Sequence, residues 1–123
     1  VNKDDSLHLR AKEILIELQN GKFLPVTSNF VVNEVITVLS QRVSKRLALD
    51  FSQFVYESSH LSIITIDRTI ETQALVYLKN VASKNISFCD CTILAVMELS
   101  QIKHLASFDR DFHVGESNFK LWQ

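Results

Sequence analysis

Hydrophobic residues recur along the chain at two spacings that alternate. In five segments they return every three or four residues, which is the period of a helix with one buried face. Between these segments lie short apolar runs of the kind that favours strands. The predicted helices begin near residues 7, 29, 44, 67 and 88, and the predicted strands are 23–26, 61–66, 104–108 and 119–122. Alternating strands and helices are typical of βαβ units, so we predict an α/β fold in three layers, a parallel sheet with helices on both faces.

Asp90 stands at the start of the last predicted helix. Ser87 and Asp90 have the spacing of a capping box, in which the serine side chain and the carboxylate each accept a backbone hydrogen bond. The positions on the same helix face as Asp90 are Ile93, Leu94 and Met97, so its carboxylate heads an apolar stripe. A charge there requires a cation or a hydrogen-bond donor to compensate it, unless Asp90 serves only as a helix cap.

Two further acidic positions resemble Asp90 in their placement. Glu34 borders the apolar face of the helix that begins near residue 29, because its neighbours one turn away are Phe30 and Val38. Asp109 follows the strand predicted at 104–108, where open α/β sheets place ligand chemistry. Taken singly, Asp109 is also an ordinary turn former and Glu34 an ordinary surface residue.

Taken together, the three carboxylates point to metal chemistry. In a parallel sheet Glu34, Asp90 and Asp109 converge on one edge, and clustered carboxylates repel one another unless a hard cation with oxygen ligands joins them. The chain has only two glycines, which excludes a phosphate-binding P-loop. Mg²⁺ or Mn²⁺ held by carboxylates activates water for phosphoryl displacement. We therefore expect hydrolysis of a phosphodiester.

The helices predicted near 29 and 44 are joined by a basic segment. Arg42, Lys45 and Arg46 lie in it, and they form either a solvated face or a local positive strip for a phosphate substrate. We expect the second of these helices to pack on the first through an apolar stripe. That stripe consists of Leu47, Phe51, Phe54 and Val55.

Composition limits the class of protein. The 123 residues, 46% hydrophobic and 22% charged, suit one globular domain over 1–123. A net charge of -1 lacks the strong positive field of proteins that bind nucleic acid mainly through phosphates. No apolar run has the length of a membrane span. Cys89 and Cys91 are too few for a structural zinc site, so we interpret them as packed, reduced thiols of a cytoplasmic protein.

Four segments resemble the PIN domain nucleases, and among them the VapC-type toxins of toxin–antitoxin pairs. The segments are DDSLHLRA at 4–11, TSNFVVNEV at 27–35, SFCDCTILA at 87–95 and LASFDRDF at 105–112. They occur in the order typical of the family and span nearly the whole chain. The resemblance implies a PIN-like fold whose central parallel sheet has about four to five strands flanked by helices.

The resemblance also implies a function and a site. It implies an Mg²⁺- or Mn²⁺-dependent endoribonuclease whose acidic residues match Glu34, Asp90 and Asp109, with Asp111 as a further metal ligand. Ser107 matches a small hydroxyl residue that orders the site. Arg42, Arg46 and Arg110 are candidates for contact with RNA. Members of the family commonly form homodimers, and the toxins are neutralised by a cognate antitoxin protein.

The chain departs from the family pattern in two places. The family's first strand, which is central and ends in an Asp followed by a small hydroxyl residue, is expected upstream of Val1. We expect either an upstream segment of roughly a dozen residues or a strand donated by another chain, because a missing central strand leaves two neighbouring edges unpaired. The second departure is Cys91, where the family usually carries Ala.

Two other functions remain open at the level of sequence. The first is a non-catalytic PIN-like module that binds RNA or a protein, which is motivated by the missing first Asp of the family pattern. The second is a receiver-like signalling domain, in which Asp67 after the strand 61–66 takes the part of the acceptor. That class also requires a Lys at the end of a later strand, and no predicted strand here ends in one.

Overall fold

The computed structural model describes residues 9–10, 13–14, 16–17, 20–21, 23–81, 84–107 and 119–122. The described residues between 9 and 20 are helical, as predicted for that segment. The elements that follow are β1 (Val26–Ser28), α1 (Asn29–Arg42), α2 (Lys45–Glu57), β2 (Ser62–Ile64), α3 (Arg68–Asn80), α4 (Phe88–Leu99), β3 (His104–Ala106) and β4 (Lys120–Trp122). Helices and short strands alternate, which confirms the predicted α/β class.

Each of the four bounded helices begins at a polar residue whose side chain caps it. A cap of this kind satisfies a backbone N–H of the first turn that has no partner within the helix. Ser28 accepts from the Val31 N–H, Ser44 from Leu47, Asp67 from Ile70 and Ser87 from Asp90, at 3.0–3.3 Å. These caps explain why the helix starts were readable from the sequence.

The described strands form two parallel pairs. β1 pairs with β2, with Val26 opposite Ser62, and β3 pairs with β4, with His104 opposite Lys120. Parallel partners need a crossover connection, and α1 and α2 supply it between β1 and β2. The parallel sheet expected from the sequence is therefore present as two short pairs in the described part of the chain.

The first strand lies later in the chain than the prediction of 23–26. Pro25 has no backbone N–H, so it cannot donate to a strand ladder, and the strand begins at the next residue. The Pro25 carbonyl still accepts a hydrogen bond from the Ser62 N–H at 3.0 Å. The strand therefore begins after Pro25, while the Pro25 carbonyl still pairs with β2.

Helix α4 is the most buried helix among the described residues. It packs against α3 around Ala74 and Ala95, both with no exposed surface, together with Ile86 and Cys91. Beyond its last residue the Ile102 N–H donates to the Met97 carbonyl at 2.8 Å, while Gln101 adopts a φ of 56°. This is a Schellman ending, and it turns the chain from α4 toward β3.

Helices α1 and α2 pack against each other, as expected, but α2 buries fewer residues than predicted. Ala48 and Val55 are buried, whereas Leu47 and Phe54 keep 43% and 68% of their surface exposed. Of the predicted stripe, the described part of the chain fully covers only Val55. The prediction that Leu47 and Phe54 point into the core is therefore wrong for these residues.

A cleft of about 520 Å³ separates the two strand pairs. Its walls are β1 and β3, and α4 contributes Ile93, Val96 and Met97 to its lining. No strand joins β1 to β3 among the residues that the structure describes. The expected further central strand stays a prediction. None of the described helices combines the length and the apolar character needed to span a bilayer.

Candidate active site

The Asp90 carboxylate is held at the start of α4 by a complete capping box. Ser87 Oγ accepts from the Asp90 N–H at 3.1 Å, and Asp90 Oδ2 accepts from the Ser87 N–H at 3.0 Å. A negative charge at this end of a helix is also favoured by the helix dipole. One carboxylate oxygen therefore fixes the orientation of the side chain, and Oδ1 remains available for another partner.

Glu34 reaches the same place from helix α1. The rings of Phe30 and Phe88 lie with centroids 6.4 Å apart, which brings the start of α1 beside the start of α4. Glu34 is one turn beyond Phe30, and its carboxylate is close enough to raise the pKa of the Cys89 thiol, in the residue before Asp90. Two carboxylates that are distant in sequence thus act on one thiol.

The environment of Cys89 raises its pKa to about 12. Burial is the largest cause, followed by the hydrogen bond to Glu34 and by the negative charges of Glu34 and Asp90. Burial and the Asp90 charge also raise the pKa of Cys91. Both cysteines are free, as expected, and both keep their protons at neutral pH. Because metal ions bind the thiolate form, carboxylate oxygens are the better ligands here.

Of the four predicted site residues between 107 and 111, the structure describes only Ser107. Ser107 directly follows β3 and is half-buried. Asp109, Arg110 and Asp111 lie outside the described residues. Within the described part of the chain, no group of three His, Cys, Asp or Glu side chains is arranged to hold a metal ion.

The donor set at Glu34 and Asp90 nevertheless fits a hard divalent cation. Both groups are carboxylates, and none of the ion pairs found among the described residues involves either of them. Their neighbour Cys89 is a neutral donor. Carboxylate oxygens are the ligands that hard divalent cations prefer.

The predicted basic residues lie along the same helical hairpin. Arg42 is exposed in the last turn of α1, two helical turns beyond Glu34, which is roughly 12 Å along the helix axis. Arg46 is exposed in the first turn of α2, where its Nε lies 3.5 Å from Asp50 Oδ1. None of the ion pairs found among the described residues joins either cation to Glu34.

One residue at the site was given a different role by the sequence. Cys89 was interpreted only as a packed thiol, whereas Glu34 and Asp90 both raise the pKa of its thiol. Its position next to Asp90 was a signal that it lies near the site. The partner on α1 was not predictable from spacing, because the interaction depends on how α1 and α4 pack together.

Comparison with known proteins agrees with this architecture. The PIN domain family matches residues 1–115. A similar solved structure is the crystal structure of VapC20 from Mycobacterium tuberculosis, described as a Sarcin-Ricin loop cleaving toxin. The TM-score is 0.76 at 30% sequence identity, and the match covers 93% of this chain and 85% of VapC20. Comparison with curated protein sequences gives no match.

Proposed function

This chain belongs to the PIN domain family, and we propose that it is a metal-dependent endoribonuclease and the toxin of a toxin–antitoxin pair. The observation that carries the proposal is the placement of Glu34 and Asp90 near the adjoining starts of α1 and α4, where the Phe30 and Phe88 rings lie 6.4 Å apart. The likeness to VapC20, a toxin that cleaves the sarcin–ricin loop, supports RNA as the substrate class. A structured RNA hairpin of that kind is the first substrate to test.

In this proposal Glu34 and Asp90 are catalytic residues that hold Mg²⁺ or Mn²⁺. An ion held by these two carboxylates would activate a water and would neutralise charge on the phosphate. Asp90 keeps a fixed orientation because the Ser87 N–H binds one of its oxygens. We propose Asp109 and Asp111 as further ligands and Ser107 as a residue that orders the turn before them.

The basic residues contribute binding in the same proposal. Arg42 and Arg46 are exposed along the α1–α2 hairpin, and they contact substrate phosphates on either side of the cleaved bond, together with Arg110. With a net charge of -1, the chain has no general attraction for RNA, so affinity depends on these local cations. The RNA affinity is therefore expected to fall only slightly as the salt concentration rises.

We also propose a second copy of the chain and an antitoxin as protein partners, and the cytoplasm as the location. The exposed apolar side chains of α2, Leu47 and Phe54, support a protein partner because such surface is costly to leave in water. The free thiols of Cys89 and Cys91 support a reducing compartment. Light scattering of the purified chain measures the dimer directly.

The test is cleavage of a sarcin–ricin-loop hairpin by the purified chain in Mg²⁺ or Mn²⁺. Parallel reactions contain EDTA or the Asp90→Asn variant. The matched control is Glu71→Gln, because Glu71 is an exposed carboxylate on α3 far along the chain from the site. We expect cleavage by the parent and by Glu71→Gln, and none in EDTA or with Asp90→Asn.

The other outcomes are also informative. Cleavage that survives EDTA contradicts the metal-dependent mechanism. RNA binding in EDTA without cleavage under any condition favours a non-catalytic PIN-like module instead. Cleavage lost in EDTA but retained by Asp90→Asn contradicts the assignment of the site.

A further inference from the structure

The Asn29 side chain joins helix α1 to the chain just beyond strand β2. Asn29 is the first residue of α1, and its Oδ1 accepts a hydrogen bond from the Ile66 N–H at 2.8 Å. Ile66 is buried, and it directly precedes Asp67, the cap of α3. Ser28 already caps α1, so Asn29 is not needed for that purpose. Its side chain is therefore available for this longer connection.

This hydrogen bond takes the place of a further rung in the ladder between β1 and β2. In their parallel register, the carbonyls of alternate residues accept from β2, beginning with the Pro25 carbonyl and the Ser62 N–H. Two such steps further on, the carbonyl of residue 29 would accept from the Ile66 N–H if β1 continued. The chain instead enters α1 here, and the Asn29 carbonyl turns along the helix axis. The side-chain oxygen supplies the acceptor, since the amide of Asn imitates a backbone carbonyl.

Helix α1 is thereby held at its first turn from two sides. Asn29 fastens it beside β2, and the Phe30 ring packs against Phe88 at the start of α4. These two positions differ by about 100° around the helix, so together they oppose rotation of α1 about its axis. Glu34 lies one turn beyond Phe30 on the same face. A rotation of about 20° moves a side-chain end ~5 Å from the axis by roughly 2 Å, whereas metal sites keep ligand distances within about 0.2 Å.

We propose that Asn29 is a positioning residue, whose link to Ile66 fixes the rotation of α1 and holds the Glu34 carboxylate where, with Asp90, it receives a divalent cation. Asn29 does not itself bind the ion. This inference rests on the proposed function, since it assumes that Glu34 and Asp90 hold the metal. Residues that orient metal ligands without touching the ion commonly change metal affinity by about 10–100-fold.

The first measurement is Mn²⁺ binding in the absence of RNA, followed by the electron paramagnetic resonance signal of the free ion. Asn29→Ala is expected to weaken binding about tenfold, because it removes the acceptor of the Ile66 N–H. Asn29→Asp keeps an acceptor oxygen in the same position, so its affinity should stay within about threefold of the parent. The control is Ser44→Ala, which removes a cap hydrogen bond of 3.0 Å at the start of α2 and should change the affinity less than about twofold.

A second measurement reports the orientation of α1 without any metal. Residual dipolar couplings of the backbone amides give the tilt and rotation of α1 relative to α4 in solution. We expect Asn29→Ala to rotate α1 by roughly 20°, while Asn29→Asp and Ser44→Ala keep the parent couplings. Circular dichroism checks that each variant is folded. If Asn29→Ala does not fold, Asn29→Ser replaces it, because the serine hydroxyl is one bond too short to reach the Ile66 N–H.

Failure of the inference is distinguishable from failure of the proposed function. If Glu34→Gln weakens Mn²⁺ binding and Asn29→Ala does not, the metal site stands and the positioning role is overturned. Unchanged dipolar couplings in Asn29→Ala also overturn the role, and so does an affinity of Asn29→Asp as low as that of Asn29→Ala. If the parent does not bind Mn²⁺, the proposed function and the inference are both wrong.

Discussion

Replacing Asp90 by Asn separates the proposed chemistry of the carboxylate from its part in the capping box. The amide oxygen of Asn has nearly the same position as Asp90 Oδ2, so it keeps accepting from the Ser87 N–H, which lies 3.0 Å away in the parent. The lost charge removes a favourable interaction with the helix dipole of about 0.3–1 kcal/mol. It also relieves repulsion from Glu34, so the free energy of unfolding is expected to fall by less than about 1 kcal/mol.

The matched variant is Ser87→Ala, which damages the cap and leaves both carboxylates in place. It removes the Oγ acceptor of the Asp90 N–H, 3.1 Å away, and such a loss costs about 1 kcal/mol of stability. The Ser87 backbone N–H still binds Asp90. We therefore expect Ser87→Ala to lower the melting temperature by about 3–6 °C in a domain of this size and to retain most of the cleavage activity.

Asp90→Asn is expected to show the opposite combination. Loss of a proposed metal ligand should slow single-turnover cleavage of the RNA hairpin by at least about a hundredfold. Its melting temperature, followed by circular dichroism, should change less than that of Ser87→Ala. If Asp90→Asn cleaves RNA at the parent rate while losing more than about 2 kcal/mol of stability, then Asp90 is a helix cap only. That result would refute the reasoning.

Three further predictions concern stability. Burial and Glu98 raise the pKa of Tyr77 from 10.0 to about 12. The folded state therefore keeps a proton that the unfolded chain loses, and the free energy of unfolding falls as the pH rises from about 10 to about 12. Urea titrations should find that this fall is smaller in Tyr77→Phe. Asn29→Ala removes the acceptor of the Ile66 N–H, 2.8 Å from Asn29 Oδ1, and should cost about 1–3 kcal/mol in the same urea assay. Gln101→Gly should raise the melting temperature, because a non-glycine residue at a φ of 56° costs about 1–2 kcal/mol.

Local chemistry explains why the sequence predicted the helix starts and the position of Asp90. A cap involves residues only three apart, so Ser87 and Asp90 could be paired without knowledge of the rest of the fold. The strands were predicted less accurately, because each is three residues long and its limits depend on a partner strand. Pro25 shows this, since its missing N–H moves the strand start while its carbonyl still pairs.

The interaction between Glu34 and Cys89 was beyond sequence reasoning for a different reason. Helical spacing states which residues share a face of one helix, but it does not state which two helices meet. The meeting of α1 and α4 depends on Phe30 and Phe88, whose rings pack at 6.4 Å. Tertiary packing of this kind depends on the shapes of many side chains at once, and an apolar pattern does not encode those shapes.

The two carboxylates of the site differ in how firmly they are held, and the difference follows from their elements. Asp90 is in the N-terminal turn of the buried helix α4. At that end of a helix, unpaired backbone N–H groups and the helix dipole stabilise a negative charge. Glu34 is exposed on the side of α1, beyond the first turn where helix N–H groups lack partners within the helix. A site that needs both carboxylates at fixed positions therefore needs a separate restraint on Glu34.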